Sequence, residues 1–131
     1  MKKTTLMNRE LSGVIAGLGH TDLLTVCDGG FPVPKEPLRL DLAVRPQLPR
    51  FFDVLDTILE ELCVEKIFIA TETKEISPNV YEEMLKRFPD AQVELLPHAE
   101  FKKLSREAKA TVRTGEHTPY SNIILQSGVV Y

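Results

Sequence analysis

What this sequence has little of narrows its class before any motif is read. Its two cysteines, Cys27 and Cys63, stand inside apolar segments without C-x-x-C or Cys/His spacing. That argues against a disulfide framework and a zinc site, and reads both as buried thiols. No stretch supplies the ~20 apolar residues needed to span a bilayer, and the opening "MKKTTLMNRELSG" has two lysines with no apolar segment behind them. The expectation is a cytoplasmic protein with no membrane partner. A net charge of -3 and a pI near 5.6 leave no basic footprint for nucleic acid. Also missing are G-x-G-x-x-G, a Walker A lysine loop, G-x-S-x-G and H-E-x-x-H, which disfavours a nucleotide-binding module of the Rossmann type. The three histidines, His20, His98 and His117, fall in expected loops, none at i,i+3 or i,i+4 from another, so no metal is expected.

What is there has the balance of a globular protein. With 131 residues, 43% hydrophobic and 27% charged, the chain is long enough for a real core. It has no internal repeat and no linker, so one domain over residues 1–131 is expected. Asn8 is a good helix cap, and Leu11, Val14, Ile15 and Leu18 form one apolar helical face ending near Gly19. "LLTVC" is a short apolar run closed by Asp28-Gly29-Gly30, hence a buried strand with Asp28 at its carboxyl end. "LRLDLAV" alternates as a strand, "PRFFDVLDTILEELC" carries a helical stripe, and "KIFIATE" is a further buried strand. Ser77 and Pro78 predict a helix start before "NVYEEMLKRF". "VELLP", a helical piece from Ala99 to Ala108, "ATVRTGE" and "NIILQSGVVY" follow, with a turn-prone "HTPYS" before the last. The alternation predicts a single-domain three-layer α/β/α sandwich with a mainly parallel, Rossmann-like sheet, whose ligands collect beyond the strands' carboxyl ends. Asp28, His98 and the Glu72 region would share that rim.

The segment "LGHTDLLTVCDGGFPVP" raises the question of function, because it brackets a buried strand with His20 and Asp28. Either the two are ordinary loop residues at opposite strand ends, or they meet other polar groups in a pocket. Each candidate has a plain alternative. His20 suits a helix C-terminus, Asp28 forms turns, and His98 neighbours a helix start. Tyr120 and Asn122 fit a hairpin turn, Lys102 a solvated helix face, and Glu72 and Glu116 solvated strand ends.

Taken together, "LGHTD", "DGGFPVP", "LPHAEFK" and "RTGEHTPYSNIILQSGV" resemble, in order and spacing, the signature segments of the D-ribose pyranase and fucose mutarotase family, small enzymes that interconvert ring forms of free sugars. The resemblance runs from the first helix to the last residue. "DGGFPVP" and "PYSN" are similar to the ribose branch, whereas the fucose branch tends to carry an Asp-Ala-His-Phe-Pro type of segment. The resemblance implies His20 as proton donor and Asp28, His98, Tyr120, Ser121 and Asn122 as sugar-contacting positions, with Ser121 acting through its main chain. Lys102 stands second in rank. It also implies free D-ribose as partner and substrate, no cofactor, and a ring-shaped homo-oligomer of two stacked pentamers with shared sites. Fucose or another sugar as substrate, or a non-catalytic sugar-binding subunit, are the alternatives. An independent argument for assembly is that "NIILQSGVVY" would expose an apolar strand edge if it lay outside the sheet; the opposite expectation is a last strand buried in its own sheet.

Overall fold

Asn8 starts the first helix as its sequence suggests: its side chain accepts the Leu11 N–H at 2.9 Å, and α1 runs Arg9–Gly17 with Leu11 and Ile15 buried. The computed structural model describes residues 1–131. The remaining elements are β1 (Leu23–Cys27), β2 (Leu38–Asp41), α2 (Phe51–Leu59), β3 (Val64–Ala70), α3 (Thr71–Ile76), α4 (Pro78–Arg87), β4 (Gln92–Leu96), α5 (His98–Leu104), a 3-10 turn at Ser105–Glu107, β5 (Ala110–Arg113) and β6 (Ile123–Ser127).

The six strands form one sheet in the order β2-β5-β1-β6-β3-β4. Every neighbouring pair is parallel except the two involving β6, which runs antiparallel between β1 and β3. The sheet is mainly parallel, as expected. On one face Leu24, Val26, Ile67, Ile69, Val112, Ile123 and Leu125 pack under α1, α2 and α4 through Leu11, Phe51, Leu55, Ile58 and Met84. The other face holds a smaller cluster, in which Cys27, Phe68, Ala70 and Ile124 meet Phe31 and Phe101 of α5. Alternating side chains along each strand send one set to each cluster.

Several sequence-based expectations are corrected. The last strand is not at an edge: Ile123, Ile124 and Leu125 are fully buried at the centre of the sheet, so an exposed strand edge gives no support for assembly. What is exposed there is Val129, Val130 and Tyr131. β5 and β6 are no hairpin, because β1 lies between them. "KIFIATE" stops being a strand at Ala70, and Thr71–Ile76 turns into α3 without a side-chain cap. Ser77 does not cap α4; its hydroxyl donates instead to the Pro119 carbonyl at 2.7 Å. Cys27 is buried, and burial pushes its thiol up, whereas Cys63 is only half-buried.

Candidate active site

At the carboxyl end of β1 the antiparallel register pairs Val26 with Ile123, so the residue preceding β6 comes beside the residues that follow β1. Asn122 and Asp28 use that placement reciprocally. The Asp28 N–H donates to Asn122 Oδ1 at 2.9 Å, and Asn122 Nδ2 donates to Asp28 Oδ2 at 3.2 Å. This exchange fixes which way the amide faces. The other carboxylate oxygen accepts the Gly30 N–H at 2.9 Å. Burial pushes the Asp28 carboxyl above its ordinary range, opposed by those hydrogen bonds from Gly30 and Asn122.

The turn after Asp28 is held from two sides. Arg113 donates from Nε and Nη2 to the Gly29 carbonyl at 3.0 and 2.9 Å while Nη1 reaches Asp41. The Gly29 N–H donates to the Glu116 carbonyl at 2.8 Å, and a Cβ on Gly29 would stand 3.2 Å from that oxygen. The close approach explains the glycine. Glu116 itself is buried and structural: its carboxylate accepts the Phe51 N–H at the start of α2 and the N–H groups of His117 and Thr118.

Across from Asp28, Tyr120 takes a left-handed conformation at φ 60, uncommon for a residue with a side chain. The α3–α4 junction holds it there, because Thr73 Oγ1 donates to the Tyr120 carbonyl at 2.8 Å and Ser77 to Pro119. His98 opens α5, its N–H donating to Glu72 Oε2 at 2.9 Å. Its ring lies parallel to Phe101 at 6.0 Å and edge-on to Tyr120 at 5.1 Å and Phe31 at 6.0 Å. Burial, with the nearby Lys102 charge, holds its pKa below the usual histidine value. Its Nδ1 is buried with no partner, as is the Ser121 hydroxyl. Asp28, His98, Tyr120 and Asn122 line one open cavity of about 260 Å³ with Phe31 and Pro119 among its walls. A few polar groups over aromatic walls suit a small polyol.

His20 is not in that cavity. It stands before β1, Asp28 after it, and at ~3.3 Å per residue the intervening strand separates them by on the order of 20 Å. The His20 side chain is half open to solvent, and its Nε2 lies 2.9 Å from Glu65 Oε2. Within one chain the bracketing residues of β1 therefore do not meet.

The RbsD / FucU transport protein family matches residues 1–130 of the sequence. The chain belongs to the RbsD / FucU family. Among its relatives, the D-ribose pyranases of Coprothermobacter proteolyticus and Lactobacillus gasseri are 53% and 52% identical over 131 residues, all of either chain. The structure of Bacillus subtilis RbsD complexed with D-ribose superposes with a TM-score of 0.96 at 43% identity over the whole of both chains. The fucose mutarotase of Streptococcus pneumoniae, solved with L-fucose, shares the fold at a TM-score of 0.79 and 23% identity over the whole of both chains.

For this RbsD / FucU chain, the remaining candidates divide. Lys102 sits one turn along α5 from His98, but lines a neighbouring cavity of about 570 Å³ with Lys35, Lys103 and Arg106. Ser121 is buried beside the pocket with its hydroxyl unpaired. Sequence reading missed Phe31 and Phe101 as the walls around His98, Thr73 and Ser77 as the supports of the Tyr120 loop, and Glu65 beside His20. Only "DGGF" hinted at any of these, since Phe31 directly follows the turn. No three His, Cys, Asp or Glu side chains gather in a metal-binding cluster.

Proposed function

We propose that this protein is a D-ribose pyranase, interconverting the β-pyranose and β-furanose forms of free D-ribose in the cytoplasm and so supplying ribose for phosphorylation. The observation that carries the reading is the pocket of Asp28, His98, Tyr120 and Asn122, in a chain 43% identical throughout to a protein solved with D-ribose. The curated relatives named D-ribose pyranase support the reaction. The higher identity to the ribose protein than to the 23% identical fucose mutarotase favours the pentose.

The chemistry suits so sparse a site. Opening the pyranose delivers a proton to the ring oxygen and removes one from the anomeric hydroxyl; the C1–O bond to the ring breaks and an aldehyde forms. Closure at a different hydroxyl reverses both transfers and gives the furanose. No electron or group leaves the sugar, so the reaction needs no cofactor. A histidine can serve both directions at neutral pH. Asp28 and Asn122 accept and donate hydrogen bonds to hydroxyls, and Tyr120 and His98 bound the sugar's faces.

His20 is the proton donor in this reading, yet it stands at the other end of β1 from the pocket. A second copy must therefore supply it. We infer a ring-shaped homo-oligomer, two stacked pentamers, in which the His20 of one subunit closes the pocket of the next.

Saturation-transfer NMR on D-ribose tests the activity: the protein should speed exchange between ring forms, whereas binding without faster exchange would leave a sugar-binding subunit. Mixing tests the shared site. Inactive His20→Ala and Asn122→Ala proteins, dissociated and reassembled together, should regain activity, because some sites then carry neither defect. No recovery in confirmed mixed oligomers would put both residues in one subunit's contribution, and a monomer by light scattering would defeat the assembly.

A further inference from the structure

The loop that carries His20 is held more firmly than an exposed turn requires. The Gly19 N–H donates to Asp22 Oδ2 at 2.9 Å and the Asp22 N–H to the Gly19 carbonyl at 3.2 Å, closing a tight turn over His20 and Thr21. Thr21 is left-handed at φ 69, an outlier for a β-branched residue. It is tied there by its N–H to the Ser127 carbonyl at 2.9 Å, while the Ser127 N–H donates to Asp22 at 2.9 Å. Backbone strain sustained by the surrounding structure is a mark of functional loops.

Opposite this loop, β3 carries an irregularity. Val64 pairs with Ser127 and Lys66 with Gln126, leaving Glu65 as the extra residue between two registers. Such bulges re-aim a side chain. Here the Glu65 carboxylate spans two partners: Oε1 accepts from Gln126 Nε2 at 2.6 Å, and Oε2 faces His20 Nε2 at 2.9 Å. The hydrogen bonds from Gln126 and then His20 hold the Glu65 carboxyl below its usual range, so it is ionised at neutral pH and can only accept. His20 Nε2 must therefore be the donor. Gly128 belongs to the same arrangement, since a Cβ there would come within 3.1 Å of the Glu65 Cβ.

We propose that Glu65, steadied by Gln126, is a positioning residue that orients His20 and fixes its tautomer with hydrogen on Nε2, so that the proton exchanged with the sugar passes through Nδ1. The inference rests on His20 being the proton donor and adds which nitrogen works and what aims it. In the neutral ring Nδ1 carries the lone pair; protonated, it presents an N–H to the ring oxygen while the second N–H stays on the carboxylate. The sugar receives that proton and the imidazole returns to the same tautomer. The relation of Glu65 to His20 is that of an orienting carboxylate to a catalytic histidine.

Glu65→Gln separates this role from packing because it keeps size and shape. Gln126 would claim the one acceptor oxygen of the new amide, leaving an NH2 group facing His20. The ring can meet that donor only by accepting at Nε2, which places its hydrogen on Nδ1. The expected result is a fall in kcat of roughly tenfold or more, a KM for ribose within about twofold because no pocket residue is touched, and inversion of the His20 tautomer in imidazole nitrogen-15 NMR. Full kcat in Glu65→Gln, alongside inactive His20→Ala, would overturn the positioning role and leave the proposed function intact. Undiminished activity in His20→Ala would overturn the positioning role together with the proton-donor role of His20 on which it rests. A KM increase with unchanged kcat would move Glu65 into binding and overturn the proposal. Should the variant fail to assemble, the wild-type spectrum decides: Nε2–H supports the assignment, and Nδ1–H in the free enzyme overturns it.

Discussion

The two ends of β1 are built on a common plan and finished differently. Each has a histidine near a carboxylate, a left-handed residue that is not glycine, and a tie to β6. At one end Asn122, just before β6, locks Asp28; at the other, Ser127 and Gln126 of β6 hold the His20 loop and Glu65. A single antiparallel strand in an otherwise parallel sheet thus braces both ends at once, since its start lies beside the end of β1 and its end beside the start. The difference is solvation. His98 is walled by Phe31, Phe101 and Tyr120, and burial disfavours its charged form. His20 is half open with its carboxylate beside it. In the function proposed above, one end holds the sugar and the other carries a proton to a molecule that it does not itself bind.

That division puts the largest expected effects on catalysis at one end and on binding at the other. His20→Ala should lower the catalysed exchange by about 10²–10⁴-fold, the usual worth of a positioned acid or base, while leaving unfolding stability within about 0.5 kcal/mol, as expected for a surface side chain. Asp28→Asn should instead weaken ribose binding by roughly tenfold or more, the cost of a charged hydrogen bond, because its carboxylate is in the pocket. Isothermal titration with ribose, set against exchange rates by NMR, reads both. If His20→Ala lost binding and Asp28→Asn lost only rate, the assignment of the two ends would be reversed.

A smaller effect sharpens the contrast in solvation. His98 has a folded pKa below its unfolded value near 6.5, so acidification charges the unfolded chain first. The stability contributed by neutral His98 is complete above pH ~6.5 and is lost as the pH falls from there through the folded value. Asp28, with a raised folded pKa, acts in the opposite sense: its burial costs stability while it is ionised, and that cost is relieved as the pH falls through its folded value. His98→Gln should therefore flatten the loss of urea stability between pH 7 and pH 5.5. The change is well below the ~1.4 kcal/mol of a full unit, because water screens a partly open ring. An unchanged slope would mean that His98 is not desolvated in solution.

Much of this arrangement is local and could be read from the chain. "LLTVC" closed by Asp28-Gly29-Gly30 is a strand in the structure, and Asn8 is a cap, because each signal concerns residues a few positions apart. Long-range pairing left no such signal. An apolar "NIILQ" is compatible with an edge or a centre, and its register against β1 and β3 decided for the centre. α3 begins at Thr71 without a side-chain cap to announce it, and its Thr73 is bonded to a loop 47 positions away. Glu65 was invisible for a related reason: only the register shift in β3 turns it toward His20. For the site, the residue types are legible in the segments that carry them, and a strand between His20 and Asp28 already implies their separation, whereas which residues join Asp28 in the pocket depends on the register of β6 against β1.

The smallest expected effect concerns Lys102, on the pocket side of the comparison but outside the pocket. Its charge helps depress the His98 pKa from one turn along α5, where i,i+4 side chains are neighbours, yet its side chain is exposed and lines the adjoining cavity with Lys35, Lys103 and Arg106. Acting only through space, it should be replaceable by Met with the KM for ribose changed by no more than about twofold, in keeping with the low worth of exposed charges. The His98 titration, followed by NMR, should move upward toward the ordinary histidine value. Raising the salt around the wild-type protein should move it in the same direction, since exposed charges are screened beyond ~10 Å at 0.1 M ionic strength and at shorter range above it. A direct hydrogen bond from Lys102 to the sugar predicts otherwise: KM would rise roughly tenfold in the Met variant, and added salt would not reproduce that loss. The second outcome would extend the sugar site along α5 and make Lys102 a binding residue.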